Sequence, residues 1–332
     1  MRKPKDRDFL QTKENLYFCL AGYLHPGDSY TAYLKYSPTS HGKWRNKDHF
    51  LRRELPFYHV SKVEKTFEFL KKNHPKYVRF CPVRDIEISM VSRKDVREYF
   101  YPERRLREIF SRQTDLLERE VFKFCELILE ESGISLENLG VTGSILLKIH
   151  NPKFSDMDIL CYGEKNYKRV KRFLTESPIV ERPIERRKAW IERRMKNFSL
   201  SEREAIFLAS KRLNYGFYEG RYFSLHAVRK DEEIKEDWGD RFYRDCGLQE
   251  VRATIRDSRE SIFLPAIYET EDVDSDFDVR EIVSNEGMYC DVFEKGQRVH
   301  AKGKLESVDS KHYRIVIGTT KYWREEFFRL ED

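Results

Sequence analysis

Residues 140–160 read GVTGSILLKIHNPKFSDMDIL. Two acids, Asp156 and Asp158, stand one residue apart at the head of an apolar run, and a Gly-Ser pair, Gly143 and Ser144, precedes them. On a strand, residues i and i+2 point to the same side. The two carboxylates therefore project together, while Met157 and Ile159 face the opposite layer. Side by side, two carboxylates repel each other and resist burial. A divalent cation removes both problems, and Mg²⁺ takes carboxylate oxygens together with substrate phosphate oxygens. Gly143 lets backbone approach a ligand closely. If a helix begins there, its first N–H groups face an anion. The ILLKI stretch suits the first turns of that helix, and Pro152 ends it before the strand.

This spacing resembles a known signature. Gly-Ser, eleven intervening residues, then Asp-apolar-Asp-apolar is similar to the DNA polymerase β-like nucleotidyltransferase superfamily. The GYLHP hairpin near the N-terminus and the VHAKGKLESV…YRIVIG segment near the C-terminus extend the resemblance to an archaeal family of predicted nucleotidyltransferases. The resemblance implies transfer of a nucleoside monophosphate from an NTP to an acceptor hydroxyl, on RNA or another nucleic acid, with Mg²⁺ or Mn²⁺ as cofactor. Gly143 and Ser144 would hold the triphosphate, and Asp156 and Asp158 would ligate the metal. Lys211 and Arg212 are further candidates for the nucleotide. The superfamily carries a third acid on a later strand. The best strand for it here, YFSLHAV, has no carboxylate, and His226 takes the expected slot. A neutral imidazole ligates metal or accepts a proton near neutral pH, but it supplies no negative charge. Two alternatives stand beside the enzyme: a nucleotidyltransferase fold that binds RNA or nucleotides without turnover, and protein nucleotidylation.

The flanking sequence predicts an α+β multidomain chain. A nucleotidyltransferase-like α/β domain with a mixed sheet is expected over 104–262. An N-terminal α+β module, 1–103, and a small β-barrel-like domain, 263–332, flank it. In the first module, NLYFCLAGYLH and SYTAYLKYS surround Pro26-Gly27-Asp28, a hairpin signal. The second run alternates, with Tyr30, Ala32, Leu34 and Tyr36 on one face and Thr31, Tyr33 and Lys35 on the other. YVRFCPV, 77–83, reads as another strand. Apolar residues recur at helical spacing through 103–132, and Gly133 fits a helix stop. Residues 164–215 read as mostly helical, with a capping box at Ser201 and Glu204. The acidic run ETEDVDSDFDVRE, 269–281, reads as a linker. Val299, Ala301, Gly303 and Leu305 then share one face of a strand.

Other features are weighed the same way. Asp85-Ile86-Glu87 repeats the two-acid spacing without a Gly-Ser and reads as a salt-bridged surface feature. Asp274, Asp276 and Asp278 open like a calcium loop, but Val279 stands where glycine is needed, so an EF-hand is rejected. Segments 186–196 and 211–222 mix Arg, Lys and aromatics, a composition that suits nucleic-acid contact. Net charge is only +6, too mild a basic excess to establish that partner. Six scattered cysteines form no zinc spacing or disulfide framework. No apolar run of membrane length occurs. A cytoplasmic protein with no membrane partner is expected, and the sequence assigns no oligomeric state.

Overall fold

The computed structural model describes residues 2–46, 48–54, 60–198 and 200–331. Along the chain come strands β1 (Phe9–Thr12), β2 (Tyr17–Leu20), β3 (Ser29–Thr39), β4 (Trp44–Arg45) and β5 (Phe50–Arg53). Helix α1 (Val60–Asn73), the hairpin β6 (Val78–Cys81) and β7 (Ile86–Ser92), and β8 (Val96–Phe100) follow. Helices α2 (Pro102–Ser111) and α3 (Leu116–Ser132) lead into β9 (Leu139–Val141) and the single turn α4 (Gly143–Leu146). Then come β10 (Met157–Tyr162), α5 (Glu164–Glu176), α6 (Ile184–Asn197), α7 (Glu202–Ser210), β11 (Tyr215–Tyr218) and β12 (Arg221–Val228). Six strands close the described chain: β13 (Tyr243–Asp257), β14 (Ala266–Asp274), β15 (Val279–Ser284), β16 (Arg298–Val308), β17 (His312–Ile317) and β18 (Phe327–Leu330). The fold is α+β, with several sheets and a β-barrel. No described helix is long and apolar enough to cross a membrane.

Local chemistry explains the helix ends. Pro102 opens α2, where its missing N–H is no loss. The apolar periodicity of 103–132 spans two helices rather than one. Asp115 interrupts it because its Oδ1 accepts the Glu118 N–H at 3.0 Å and so caps α3. Gly133 ends α3 at φ +64°. The Ser201–Glu204 capping box forms at the start of α7.

The contacts divide the chain into two compact units, each discontinuous in sequence. The first comprises residues 1–55, 91–182 and 213–235, and the second 56–90, 183–212 and 236–332.

In the first unit, six strands join antiparallel in the order β4-β5-β3-β2-β1-β8. The β2–β3 pairing sets Leu20 opposite Ala32 and Cys19 opposite Tyr33. Both faces of β3 are covered. The strand is bulged at Lys35: Leu34 opposes Phe18, whereas Tyr36 opposes Tyr17 and shares the Cys19 and Tyr33 side, which corrects the simple alternation. Lys35 is 3% exposed. A second sheet runs β11-β12-β10-β9. Its centre is the parallel pair β10–β12, which needs a crossover. That crossover includes α5, which packs on β10 and β12. Phe124 of α3 stacks on Tyr218 and meets Phe223 at 4.6 Å between ring centres.

In the second unit, β13 pairs with β14, β14 with β15, β15 with β17, β17 with β16, and β16 with β13. These five strands close a ring, with β18 added beside β16. Closure leaves the ring without an edge. The acidic stretch expected as a linker is the β14–β15 hairpin of this barrel. Its apolar positions, such as Tyr268 and Val279, face the core, and its acids face water. Gly303 is required by packing, since a Cβ there would stand 2.5 Å from the Val316 carbonyl oxygen. Helices α6 and α7 pack Trp190, Phe207 and Leu208 against the barrel core.

Tyr268 is fully buried there and its hydroxyl does two things. It donates to the Tyr289 carbonyl at 2.6 Å and accepts the Val292 N–H at 3.1 Å. Tyr268→Phe leaves both backbone groups without that partner. It should lower stability by about 1–3 kcal/mol, read as a reduced denaturation midpoint in urea.

Candidate metal and nucleotide site

Asp158 lies on β10 directly opposite Ser224 of β12. The Ser224 hydroxyl donates to Asp158 Oδ1 at 2.6 Å. On the other side, Gly143 closes on the same carboxylate: a Cβ at Gly143 would sit 2.7 Å from Asp158 Oδ2. Gly143 also adopts φ +66°, in the left-handed region. The Thr142 N–H donates to the Asp158 carbonyl at 3.0 Å. The Gly-Ser turn and the second acid, separated in sequence, are therefore in contact, as the motif reading expects.

The helix after the turn is shorter than expected. α4 is a single turn, and Lys148 already lies at φ +56°. Aligned dipoles need more length than this, so α4 adds little beyond its own N–H groups. The apolar residues ILLKI do a different job. Leu146, Leu147 and Ile149 pack with Phe9, Tyr17, Cys19, Tyr36 and Leu51 of the N-terminal sheet. The Thr142 hydroxyl reaches the same region, donating to the Arg7 carbonyl at 2.8 Å. Arg105 grips the turn from α2, its Nε donating to the Ile145 carbonyl at 3.1 Å.

Asp156 immediately precedes β10 and is accessible to water, while Asp158 is half-buried. Neighbouring protein nonetheless takes part of the hydration from Asp156. That loss, with the negative charge of Asp158, raises its carboxyl to about 6. Arg53 and Lys35 pull in the opposite direction. The loop before Asp156 is fixed by Arg221. Its guanidinium donates to the carbonyls of Pro152 at 2.8 Å and Ser155 at 3.0 Å, and pairs with Glu120 at 2.7 Å. A residue grouped with possible nucleic-acid contacts thus serves to place a carboxylate.

His226 faces Leu160, not Asp158, across the parallel pair. Its Nε2 lies 3.0 Å from the Ser224 oxygen. With the Ser224 proton committed to Asp158, that oxygen accepts from the Nε2–H tautomer. His226, Ser224 and Asp158 thus form a hydrogen-bonded chain, in which Ser224 carries no signal in the sequence. Lys211 and Arg212 belong to the second unit. Lys211 pairs with Glu294 at 2.6 Å, and Arg212 lies over the Trp190 ring.

A further carboxylate–imidazole group, Asp115, Glu118 and His150, is also within the first unit. Its carboxylates and one imidazole nitrogen are engaged internally, while His150 Nδ1 is buried without a hydrogen-bond partner among the described residues. His150 Nε2 meets Asp115 Oδ2 at 2.8 Å, and Glu118 accepts from the Thr114 N–H and hydroxyl and from Arg105. Through Arg105 the group is tied to the Ile145 carbonyl of the turn.

Comparison with known proteins adds one relative. The chain is 28% identical, over 341 aligned residues spanning 99% of both chains, to the uncharacterized protein MJ1086 of Methanocaldococcus jannaschii. No protein-family model matches the chain. No solved structure matches it either.

The raised Asp156 carboxyl has a measurable effect on stability. Its folded value lies above the unfolded value near 3.8, so the ionised group opposes folding at pH 7–8. Without divalent ions, Asp156→Asn should therefore stabilise the protein there. After discount for solvent screening the gain is about 1 kcal/mol. It should vanish near pH 4, where Asp156 is largely protonated in the wild type. Thermal melts across pH, with EDTA, check this, and equal melting at pH 8 would contradict it.

Proposed function

We propose that the first unit carries a metal-dependent nucleotidyl-transfer site, in which Asp156 and Asp158 hold Mg²⁺ or Mn²⁺ and the Gly143–Ser144 turn receives the triphosphate of an NTP. The observation that carries this reading is the contact between Gly143 and Asp158. It brings together an open backbone turn and a repelling carboxylate pair. The donor set fits a hard divalent cation: oxygen ligands only, negatively charged. When bound, such an ion neutralises charge at the α-phosphate and orients the acceptor hydroxyl. The chain's own groups do the rest. Ser224 holds Asp158 in one orientation, Arg221 fixes the approach of Asp156, and His226 braces Ser224 through its Nε2–H. With two carboxylates and no third acid, the reading favours one tightly held ion.

The test is transfer of label from each α-³²P NTP, with Mg²⁺ or Mn²⁺, to pooled RNA or to the protein itself. Asp156→Asn or Asp158→Asn should reduce labelling at least 100-fold, the order of effect seen when a charge-stabilising group is removed. Equal labelling by wild type and variants sinks the enzyme reading. Labelling of the protein without RNA favours protein nucleotidylation. Metal-dependent NTP binding with no transfer favours the binding alternative.

A nucleic-acid partner has support from α6. Among the described residues of this fourteen-residue helix none is buried, and Arg186, Arg187, Lys188, Arg193 and Lys196 are exposed. The barrel's ring order, first-second-third-fifth-fourth, is also that of oligonucleotide-binding barrels. Its β14–β15 surface is acidic, however, with Glu271, Asp272, Asp274, Asp276 and Asp278 exposed. That face repels phosphates, so the contact is assigned to α6. Replacing Arg186, Arg187 and Lys188 with Gln should lower single-stranded RNA affinity and reduce the salt slope by about 2. An unchanged slope removes α6 from the interface.

A further inference from the structure

Burial alternates through the chain just ahead of β10. Ser155 and Met157 are buried, while Phe154 and Asp156 are exposed and Asp158 is half-buried. Phe154 therefore stands on the open side of this stretch, together with the two carboxylates. Its backbone is braced. The N–H groups of Phe154 and Ser155 both donate to the Asn151 carbonyl, at 3.1 and 2.9 Å. Arg221 holds the carbonyls of Pro152 and Ser155. The ring itself is 51% exposed, so a fixed loop displays it. A single exposed apolar side chain is ordinary, but this one meets a second ring. Trp44 of β4 lies 6.4 Å away between ring centres, nearly perpendicular at 82°. Such an edge-to-face contact occupies at most one face of the Phe154 ring. Trp44 is half-buried and packs against the cluster, Leu146, Leu147 and Ile149 among it, that seats the Gly143–Ser144 turn. One ring thus belongs to the loop that carries Asp156, the other to the support of the turn, and the two meet within the first unit.

We propose that Phe154 and Trp44 form the seat of the nucleobase, the base stacking on the open face of Phe154 with Trp44 behind it. The inference rests on the metal and triphosphate reading of Asp156, Asp158 and the Gly143–Ser144 turn, and extends it to the rest of the nucleotide. A triphosphate bound between turn and acids carries its base within a short reach of both, and the paired rings are tied to both. Every base has a π-face, so stacking admits all four NTPs. Its strength follows contact area, so purines bind more tightly than pyrimidines.

The experiment is calorimetric binding of ATP, UTP and inorganic tripolyphosphate with Mg²⁺, together with Mn²⁺ binding followed by electron paramagnetic resonance. Wild type, Phe154→Ala, Phe154→Leu, Phe154→Tyr and Trp44→Ala are compared. Phe154→Ala should weaken ATP at least about fivefold, the lower end of what a stacked base loses when its aromatic partner becomes alanine. Tripolyphosphate and Mn²⁺ should bind this variant as they bind wild type. Phe154→Tyr should keep the ATP affinity, and Phe154→Leu should lose it despite similar apolar bulk. The preference for ATP over UTP should shrink in Phe154→Ala. Phe154 is exposed, so its variants report even if Trp44→Ala does not fold. ATP affinity unchanged in Phe154→Ala overturns the proposal, and a loss confined to single-stranded RNA assigns the rings to the acceptor instead. ATP and tripolyphosphate weakened alike means that Phe154 only shapes the loop, which also overturns it. Phe154→Leu equal to wild type removes stacking and overturns it too. Wild type that binds tripolyphosphate as tightly as ATP overturns it and leaves the metal and phosphate site standing. Wild type that binds neither Mn²⁺ nor ATP overturns both readings.

Discussion

The parallel pairing of β10 with β12 is the constraint on which the first unit depends. It sets Asp158 opposite Ser224 and leaves one side of the carboxylate for Gly143. A shift of one residue would turn every side chain of β10 to the other face. Met157 and Ile159, both fully buried, would then lie where the acids now lie. The apolar residues that flank the acids therefore fix the acids. The same logic reaches outward. Leu146, Leu147 and Ile149 seat the turn on the N-terminal sheet, and Arg221 holds the entry loop.

Around this frame the electrostatics are unfavourable. Asp156 is pushed toward neutrality and Lys35 away from its charge. Burial raises Asp6, Asp8 and Glu326 as well, while other interior charges are settled by partners. Glu306 sits between Lys304 and Arg314 and is held below its usual range despite burial. Glu118 is likewise settled by Arg105 and Thr114. Perturbed groups gather where a ligand completes the charge balance, which is the role proposed for Asp156 and Asp158.

Much of this was legible in the sequence, for identifiable reasons. The Gly-Ser and Asp-x-Asp elements are local patterns, and period-two alternation states which side of β10 the acids take. The β2–β3 hairpin, β12 and the α7 capping box are also local and were readable. The acidic segment 269–281 misled because composition outweighed its pattern, in which Thr270 and Val279 are buried. Ser224 was hidden because register between β10 and β12 is a long-range property, separated by α5, α6 and α7. Lys35 was visible as a charge on an alternating strand, which ordinarily means solvent. Only the covering of both faces of β3 shows it to be enclosed.

The two compact units are each drawn from three separate stretches of chain. During synthesis the ribosome delivers a chain in order, and regions near the N-terminus fold first where they can. Here the first unit has all its parts once Lys235 has emerged, with two stretches of the second already released among them. Those stretches, including the amphipathic segments α6 and α7, must wait for the barrel strands that cover Trp190, Phe207 and Leu208. For that interval their apolar sides are open to water, so newly made chains should depend on chaperone capture more than a protein with contiguous domains does.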